Sequence, residues 1–189
     1  MQDTKERIIT LAEELIKTKG FNAFSYKDIS DPLEIKNAAI HYYFPTKTDL
    51  GVAVLEQYLK SFTFHTAKWA ELPEDKQLKQ LFDTFSRASK DKFICLMGSL
   101  SPDYDTLQPA MQEQVSNMAS AIVQWVASCL ERGRSKGLFR FEGEAYDRAL
   151  LVQSNLLASL LLSRVMGNKV FGKMSSRLMK DLLVDNTKK

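Results

Sequence analysis

Cysteine and histidine are scarce in this 189-residue chain: Cys95 and Cys129 are the two cysteines, His41 and His65 the two histidines. Two cysteines make no disulfide framework, and the spacing fits neither a C-x-x-C redox motif nor a zinc site. No H-E-x-x-H, no G-x-S-x-G and no glycine-rich phosphate loop occurs, so metal, nucleophile and nucleotide chemistry all lack a second partner. The chain is therefore not expected to be an enzyme, and neither a cofactor nor a metal is implied. Glycine (8) and proline (5) are also few, which speaks against a turn-rich β-sandwich. No charge of one sign dominates: the formal net charge is +3. Up to Lys68, nine basic residues face nine acidic ones, so any nucleic-acid function must rest on local geometry and not on bulk charge. A long uninterrupted apolar run is missing too. The most apolar stretch, 149–166, carries Gln153, Ser154, Asn155 and Arg164, short of what a bilayer span requires. Residues 1–20 have no basic and apolar leader pattern. No membrane partner is expected, and the cytoplasm is the expected location.

What is present is leucine, 24 against 9 valines and 8 isoleucines, a balance that favours long helices. The expected fold class is all-α. Asp3 and Glu6 stand three apart like a capping pair ahead of Ile8, Leu11, Ala12, Leu15 and Ile16, and Gly20 ends that first helix. Ser25 and Asp28 form a second capping box, with Phe24 and Ile29 at the two staple positions. Pro32 must stop or kink this helix, since it has no N–H for the carbonyl of Asp28. A short helix follows over 37–44, then Thr46 and Asp49 repeat the capping spacing before a long helix that runs to Pro73. Two helices of two turns each, joined by a tight turn and backed by a third, describe a helix-turn-helix, whose second helix is built to enter a major groove.

The run Ser25-Tyr26-Lys27-Asp28-Ile29-Ser30, followed by Ile40-His41-Tyr42-Tyr43-Phe44-Pro45-Thr46-Lys47-Thr48-Asp49-Leu50, resembles the DNA-binding domain of the TetR/AcrR transcriptional regulators. The resemblance spans roughly residues 4–60. It implies a helix-turn-helix domain over 1–50 and a helical effector-binding and dimerisation domain over 51–189. It also implies that Ser25, Tyr42, Tyr43 and Lys47 match the family's phosphate contacts. Read from their chemistry, His41, Tyr42, Tyr43 and Lys47 can each reach backbone oxygens. Lys36, Asn37 and Ala39 sit where base edges are met: lysine could read guanine, asparagine adenine, and the alanine methyl thymine. Tyr26 and Lys27 are further candidates. The chain departs from the family at Glu34 and Ala38, where glycine is usual, at Lys36, where a capping serine is usual, and at Pro32. A glutamate at positive φ costs on the order of 1 kcal/mol, which favours a different path for the turn.

Beyond Pro73 periodicity carries the reading. Helices are expected over 75–90, 105–136, 144–166 and 174–184, with a short apolar segment at 93–100, a loop at 101–109 and a frayed tail at 186–189. The effector is expected among Phe62, His65, Trp69, Phe85, Cys95, Met118, Ile122 and Trp125, an aromatic and sulfur-bearing set suited to a flat or lipophilic compound. An aromatic stripe at helical spacing equally describes plain core. His65 reads as a partly buried pocket or interface residue. Residues 95–111 are similar to the branch typified by the repressor of N-ethylmaleimide reductase, which implies that Cys95 could sense electrophiles; for that it must be partly exposed, with a thiol pKa lowered by a helix N-terminus or by Lys92. Cys129 reads as core. Leu150, Leu151, Leu157, Leu161, Met174, Leu178, Leu182 and Leu183 exceed what one thin subunit can bury, and the resemblance makes them a homodimer interface. The resulting expectation is a homodimeric repressor, released from double-stranded operator DNA by a small-molecule effector. The alternative is an all-helical small-molecule-binding protein that has lost DNA binding.

Overall fold

The computed structural model describes residues 3–184. The frayed tail expected at 186–189 lies outside the described residues. Among them are nine α-helices: α1 (Thr4–Lys19), α2 (Lys27–Leu33), α3 (Asn37–Tyr43), α4 (Lys47–Trp69), α5 (Glu74–Lys90), α6 (Leu96–Leu100), α7 (Pro109–Ser135), α8 (Ala145–Met166) and α9 (Lys169–Leu182). The chain packs as two compact units, one of Met1–Phe62 with Cys95–Met118, the other of Thr63–Ile94 with Ala119–Lys189. Two of the three boundaries fall inside α4 and α7 and the third between α5 and α6, so the units of packing differ from the division at residue 50 expected from the sequence.

In the first unit α1 is amphipathic: Ile8, Ala12 and Ile16 recur every four residues and are buried. They share a core with Ile29 of α2, Ile40 of α3 and Leu50 and Val54 of α4, while Leu96 and Leu100 of α6 are also fully buried. The start of α1 departs from expectation. Asp3 occupies the cap position with an extended backbone, but its side chain makes no capping hydrogen bond; its main-chain carbonyl instead accepts from the Arg7 amide at 3.0 Å. The expected loop at 101–109 contains a 3₁₀ turn, Ser101–Thr106.

The turn after α2 keeps the path that the resemblance requires, against the expectation of a detour. Pro32 lies inside α2, which ends one residue later, and Glu34 takes the left-handed conformation at φ 55°, ψ 40°. The Glu34 and Ile35 amides donate to the carbonyls of Asp31 (3.2 Å) and Ser30 (3.1 Å), closing the helix as a glycine would. Glu34→Gly is therefore expected to stabilise the chain by about 0.5–1 kcal/mol after the extra unfolded-state entropy of glycine is subtracted. This is a rise of roughly 2 °C in melting temperature. An unchanged or lower midpoint in a circular dichroism melt would count against the strain.

In the second unit α5 packs on α8 and α9, and α8 on α9. Leu78, Leu81, Phe82 and Phe85 of α5, Val152, Leu156 and Leu160 of α8, and Phe171 and Leu182 of α9 are buried. Helix α9 begins at Lys169, five residues before the expected start at Met174, because the chain reverses at Gly167 (φ 94°) and needs only Asn168 before it is helical again. A single antiparallel bridge joins Phe139 to Leu183.

A buried carboxylate closes this unit. Glu74, in the first turn of α5, is 2% exposed and accepts from the Lys136 ammonium at 2.7 Å, with Arg132 Nε at 3.5 Å. The Lys136 hydrogen bond, helped by the charge of Arg132, holds its pKa below the ordinary 4.5 against the opposing effect of burial. A depressed acid stabilises the fold above its unfolded pKa, and that stability is lost as pH falls through the lower, folded value. Stability is expected to decline from about pH 4.5 downward, and Glu74→Gln to flatten that part of the curve. Urea titrations at several pH values measure both slopes. Equal slopes would show that Glu74 contributes nothing to acid unfolding.

Candidate nucleic-acid interface and effector region

The two ends of the helix-turn-helix are fixed by side-chain caps. Ser25 donates its amide (2.8 Å) and hydroxyl (2.9 Å) to Asp28 Oδ2, and Lys19 of α1 reaches Asp28 Oδ1 at 2.9 Å. The Lys19 and Ser25 hydrogen bonds hold the Asp28 carboxyl well below the usual carboxylate range. At the start of α4 the capping box is complete: Thr46 donates amide and hydroxyl to Asp49 (2.9 and 2.7 Å), and the Asp49 amide donates back to the Thr46 hydroxyl (3.1 Å).

Between them α3 turns Ile40 inward with no exposure and ends on buried Phe44. The opposite face carries Asn37, Ala38, His41 and Tyr42, all exposed, at the i, i+1, i+4, i+5 spacing of one helical stripe. Tyr42 is 81% exposed, far beyond what a tyrosine placed for packing shows. Its ring stands edge-on to half-buried Tyr43 at 5.1 Å. The His41 ring nitrogen Nδ1 lies 3.3 Å from the Pro45 carbonyl, a hydrogen bond in the tautomer that carries its proton there. Ala38 was not among the expected contacts. A four-residue step back from Tyr42 on a helix would have found it, whereas Ala39, which was expected, is turned partly inward. Lys36 precedes the helix, exposed, and supplies no capping bond. Lys27 is exposed at the start of α2.

Three expected contacts are turned toward the protein. The Lys47 ammonium donates to the carbonyls of Phe21 and Phe24 and lies 4.8 and 4.1 Å from the centres of their rings. Burial lowers its pKa, with Asp28 and Asp103 opposing. It clamps the Phe21–Ala23 turn behind α2 instead of pointing outward. Tyr26 donates its hydroxyl to the Phe44 carbonyl at 2.8 Å and meets the His41 ring edge-on at 4.7 Å, and burial pushes its pKa up to about 12. It fastens α2 to the end of α3. Ser25 has both its donors engaged by Asp28, which leaves neither its amide nor its hydroxyl proton for a phosphate.

The profile described as "Bacterial regulatory proteins, tetR family" matches residues 8–54, the segment that builds this interface. The chain is 29% identical to a TetR transcriptional regulator from Legionella pneumophila, whose crystal structure superposes with a TM-score of 0.87 over 96% of this chain and 98% of that one. The chain carries a TetR-family DNA-binding domain. It is a DNA-binding transcriptional regulator and not an enzyme. The chain is also 22% identical over 169 residues, 86% of this chain and 85% of the other, to the HTH-type transcriptional repressor NemR of Escherichia coli strain K12. The reduced form of E. coli NemR shares the fold, with a TM-score of 0.79 at 18% identity over 97% and 100% of the two chains.

The effector candidates divide between the two units. In the second unit His65 stacks on Trp69 (6.1 Å, 25°), and Trp69 meets Trp125 edge-on at 5.7 Å. His65 is exposed, not partly buried. Phe85 and Ile122 are core residues, 7% and 5% exposed. In the first unit Met118 is core as well, 1% exposed, while Phe62 and Cys95 are half-buried. The lowered thiol pKa that electrophile sensing would require is not met at Cys95. Cys95 caps α6, and backbone amides including that of Gly98, with the charge of Lys17, pull downward, yet burial wins and pushes the thiol up. The cation that acts on it is Lys17 of α1, not Lys92, which belongs to the other unit. Cys129 is fully buried, and its thiol donates to the Glu74 carbonyl at 3.4 Å. No group of three or more metal-ligating side chains occurs among the described residues.

Of the expected dimer residues, Leu150, Leu151, Leu161, Met174 and Leu183 are 38–53% exposed, and Leu157 and Leu178 are half-buried. Leu182 is 1% exposed inside its own subunit and offers no surface to a partner. Leu162 (44%), Val165 (85%) and Met166 (68%) extend the same open apolar ridge of α8. Ala145–Met166 is long and apolar enough to cross a membrane by composition, but its other face, Ala149, Val152, Leu156 and Leu160, is packed inside the second unit.

Proposed function

We propose that this TetR-family regulator is a cytoplasmic repressor that binds a near-palindromic operator as a homodimer and leaves it when a small lipophilic effector binds. The observation that carries the reading is the outward stripe Asn37, Ala38, His41 and Tyr42 on a helix whose opposite face is buried and whose neighbours are firmly capped. On that stripe Asn37 can donate and accept at an adenine edge, Ala38 contacts a thymine methyl, and Tyr42 reaches a phosphate oxygen. Lys36 and Lys27 add charge beside the stripe, and His41 and Tyr43 complete its edge. Tyr26, Ser25 and Lys47 act behind it as positioning residues. The alternative, a protein that has lost DNA binding, leaned on the departures at Glu34, Lys36 and Pro32; α2 holds Pro32 within its last turn and Glu34 takes the left-handed conformation, which removes two of those three supports.

Homodimerisation is supported by the open ridge Leu150, Leu151, Leu161, Leu162 and Val165, with Met174 and Leu183 of α9 and its end beside it. A dimer of helix-turn-helix chains reads two half-sites about 34–36 Å apart, one recognition helix in each. For the effector, the pair Trp69 and Trp125 with exposed His65 supplies aromatic walls and one polar handle. The raised Cys95 thiol favours noncovalent binding over reaction with electrophiles. Helix α4 is one continuous helix from Lys47, which clamps the loop behind α2, to Trp69, and a shift at its far end is felt at the clamp.

Two measurements test this. Sedimentation at micromolar concentration is expected to give the mass of a dimer, and Leu161→Glu with Leu162→Glu that of a monomer. Duplexes recovered from random sequence by repeated selection should converge on a palindrome bound with strong salt dependence. A monomeric parent, or selected pools with no shared sequence, would sink the proposal.

A further inference from the structure

We propose that the cleft where the end of α5 meets the turn between α8 and α9 is a binding site for a small organic carboxylate. It lies wholly in the second unit, and its volume of about 330 Å³ falls in the range of small-ligand pockets. The walls include Ser89, Lys92, Phe93, Leu160, Arg164 and Val165. None of the residues expected to line the effector site is among them, so this is a second site and stands independently of DNA binding.

Four features point to an anion with an apolar body. Lys92 and Arg164 bring two cations to the walls, and no aspartate or glutamate lines the cleft. Arg164 is held in place by a hydrogen bond to the Lys92 carbonyl at 3.1 Å, and a guanidinium matches the two oxygens of a carboxylate in its planar fork. Ser89 lines the same cleft, is 5% exposed and has no hydrogen-bond partner for its Oγ. A fold seldom leaves a buried hydroxyl unpaired, and a carboxylate oxygen entering the cleft would accept its proton. By contrast the neighbouring Ser163 hydroxyl is satisfied by the Ser159 carbonyl at 2.7 Å. Gly167 and Asn168 also line the cleft, so the 14-residue α9 starts beside it, with its positive end nearby. Phe93 and Leu160 give the remaining wall a hydrocarbon character that suits an aromatic or branched aliphatic acid better than inorganic phosphate.

Calorimetric titration of the full chain with benzoate, and with its neutral isostere benzamide, tests the site. Benzoate is expected to bind saturably, one per chain, and benzamide at least about tenfold more weakly. Arg164→Gln should lower benzoate affinity by about tenfold or more. Ser89→Ala should raise the melting temperature of the ligand-free chain, because it removes an unpaired buried hydroxyl, while weakening benzoate binding severalfold. A structural role alone for Ser89 would not produce that pair of opposite effects. Equal binding of benzoate and benzamide, no saturable binding at millimolar concentration, or parent-like affinity in both variants would overturn the proposal.

Discussion

The Asn37→Ala, Tyr42→Ala double variant is expected to bind selected operator duplex at least about a hundredfold more weakly than the parent, since each contact is worth roughly 1–3 kcal/mol. Its melting temperature should stay where it was. Tyr42 is 81% exposed and Asn37 is exposed at the start of α3, so their removal empties no core. The two losses should also differ in kind. Tyr42→Phe, which deletes only a hydroxyl, weakens all sequences alike, whereas Asn37→Ala changes the preferred base at one position. Neither should alter the salt dependence, because neither side chain carries charge. Lys27→Ala should lower the salt slope by about one. Fluorescence anisotropy at several salt concentrations separates these outcomes, and parent-like affinity in the double variant would show that DNA is not read by this face.

Lys47 is expected to behave in the opposite way. Lys47→Met keeps the hydrocarbon stem but leaves the Phe21 and Phe24 carbonyls without their donor and the two rings without their cation. Charge-assisted bonds contribute about 1.5–3 kcal/mol each when well buried. Because Lys47 is only partly buried, about 2–3 kcal/mol for the whole arrangement is a reasonable total. For a chain of this length that lowers the melting temperature by roughly 4–10 °C. DNA affinity should fall with stability and recover on cooling. A parent-like melt accompanied by a lower salt slope would instead make Lys47 a phosphate contact of the simple kind.

This contrast also marks what the sequence can and cannot reveal. The caps at Ser25–Asp28 and Thr46–Asp49, the stop near Pro32 and the buried Ile40 and Phe44 depend on neighbours within a few residues, and they stand in the structure where local spacing places them. The direction of Lys47 depends on two carbonyls more than twenty residues earlier in the chain, which no spacing rule positions. Tyr26 is of the same kind: a phenol beside a basic residue reads as a DNA contact until α3 brings the Phe44 carbonyl within reach. Cys95 failed for a different reason. Its place at a helix start was legible, but the desolvation that outweighs that start comes from packing across the whole unit. Leu182 satisfied every local criterion for an interface residue, and only the folded subunit, in which it is 1% exposed, shows that it is already covered.

The open ridge of α8 bears on how the regulator would respond to its own abundance. If two chains must pair before two recognition helices can grip one operator, occupancy at low copy number rises with the square of chain concentration and not in proportion to it. Pairing also adds to the stability of each chain by mass action, so a diluted protein melts earlier than a concentrated one. A cell that makes slightly less of it would then lose operator occupancy and folded protein together, giving a sharper threshold than any single binding constant provides.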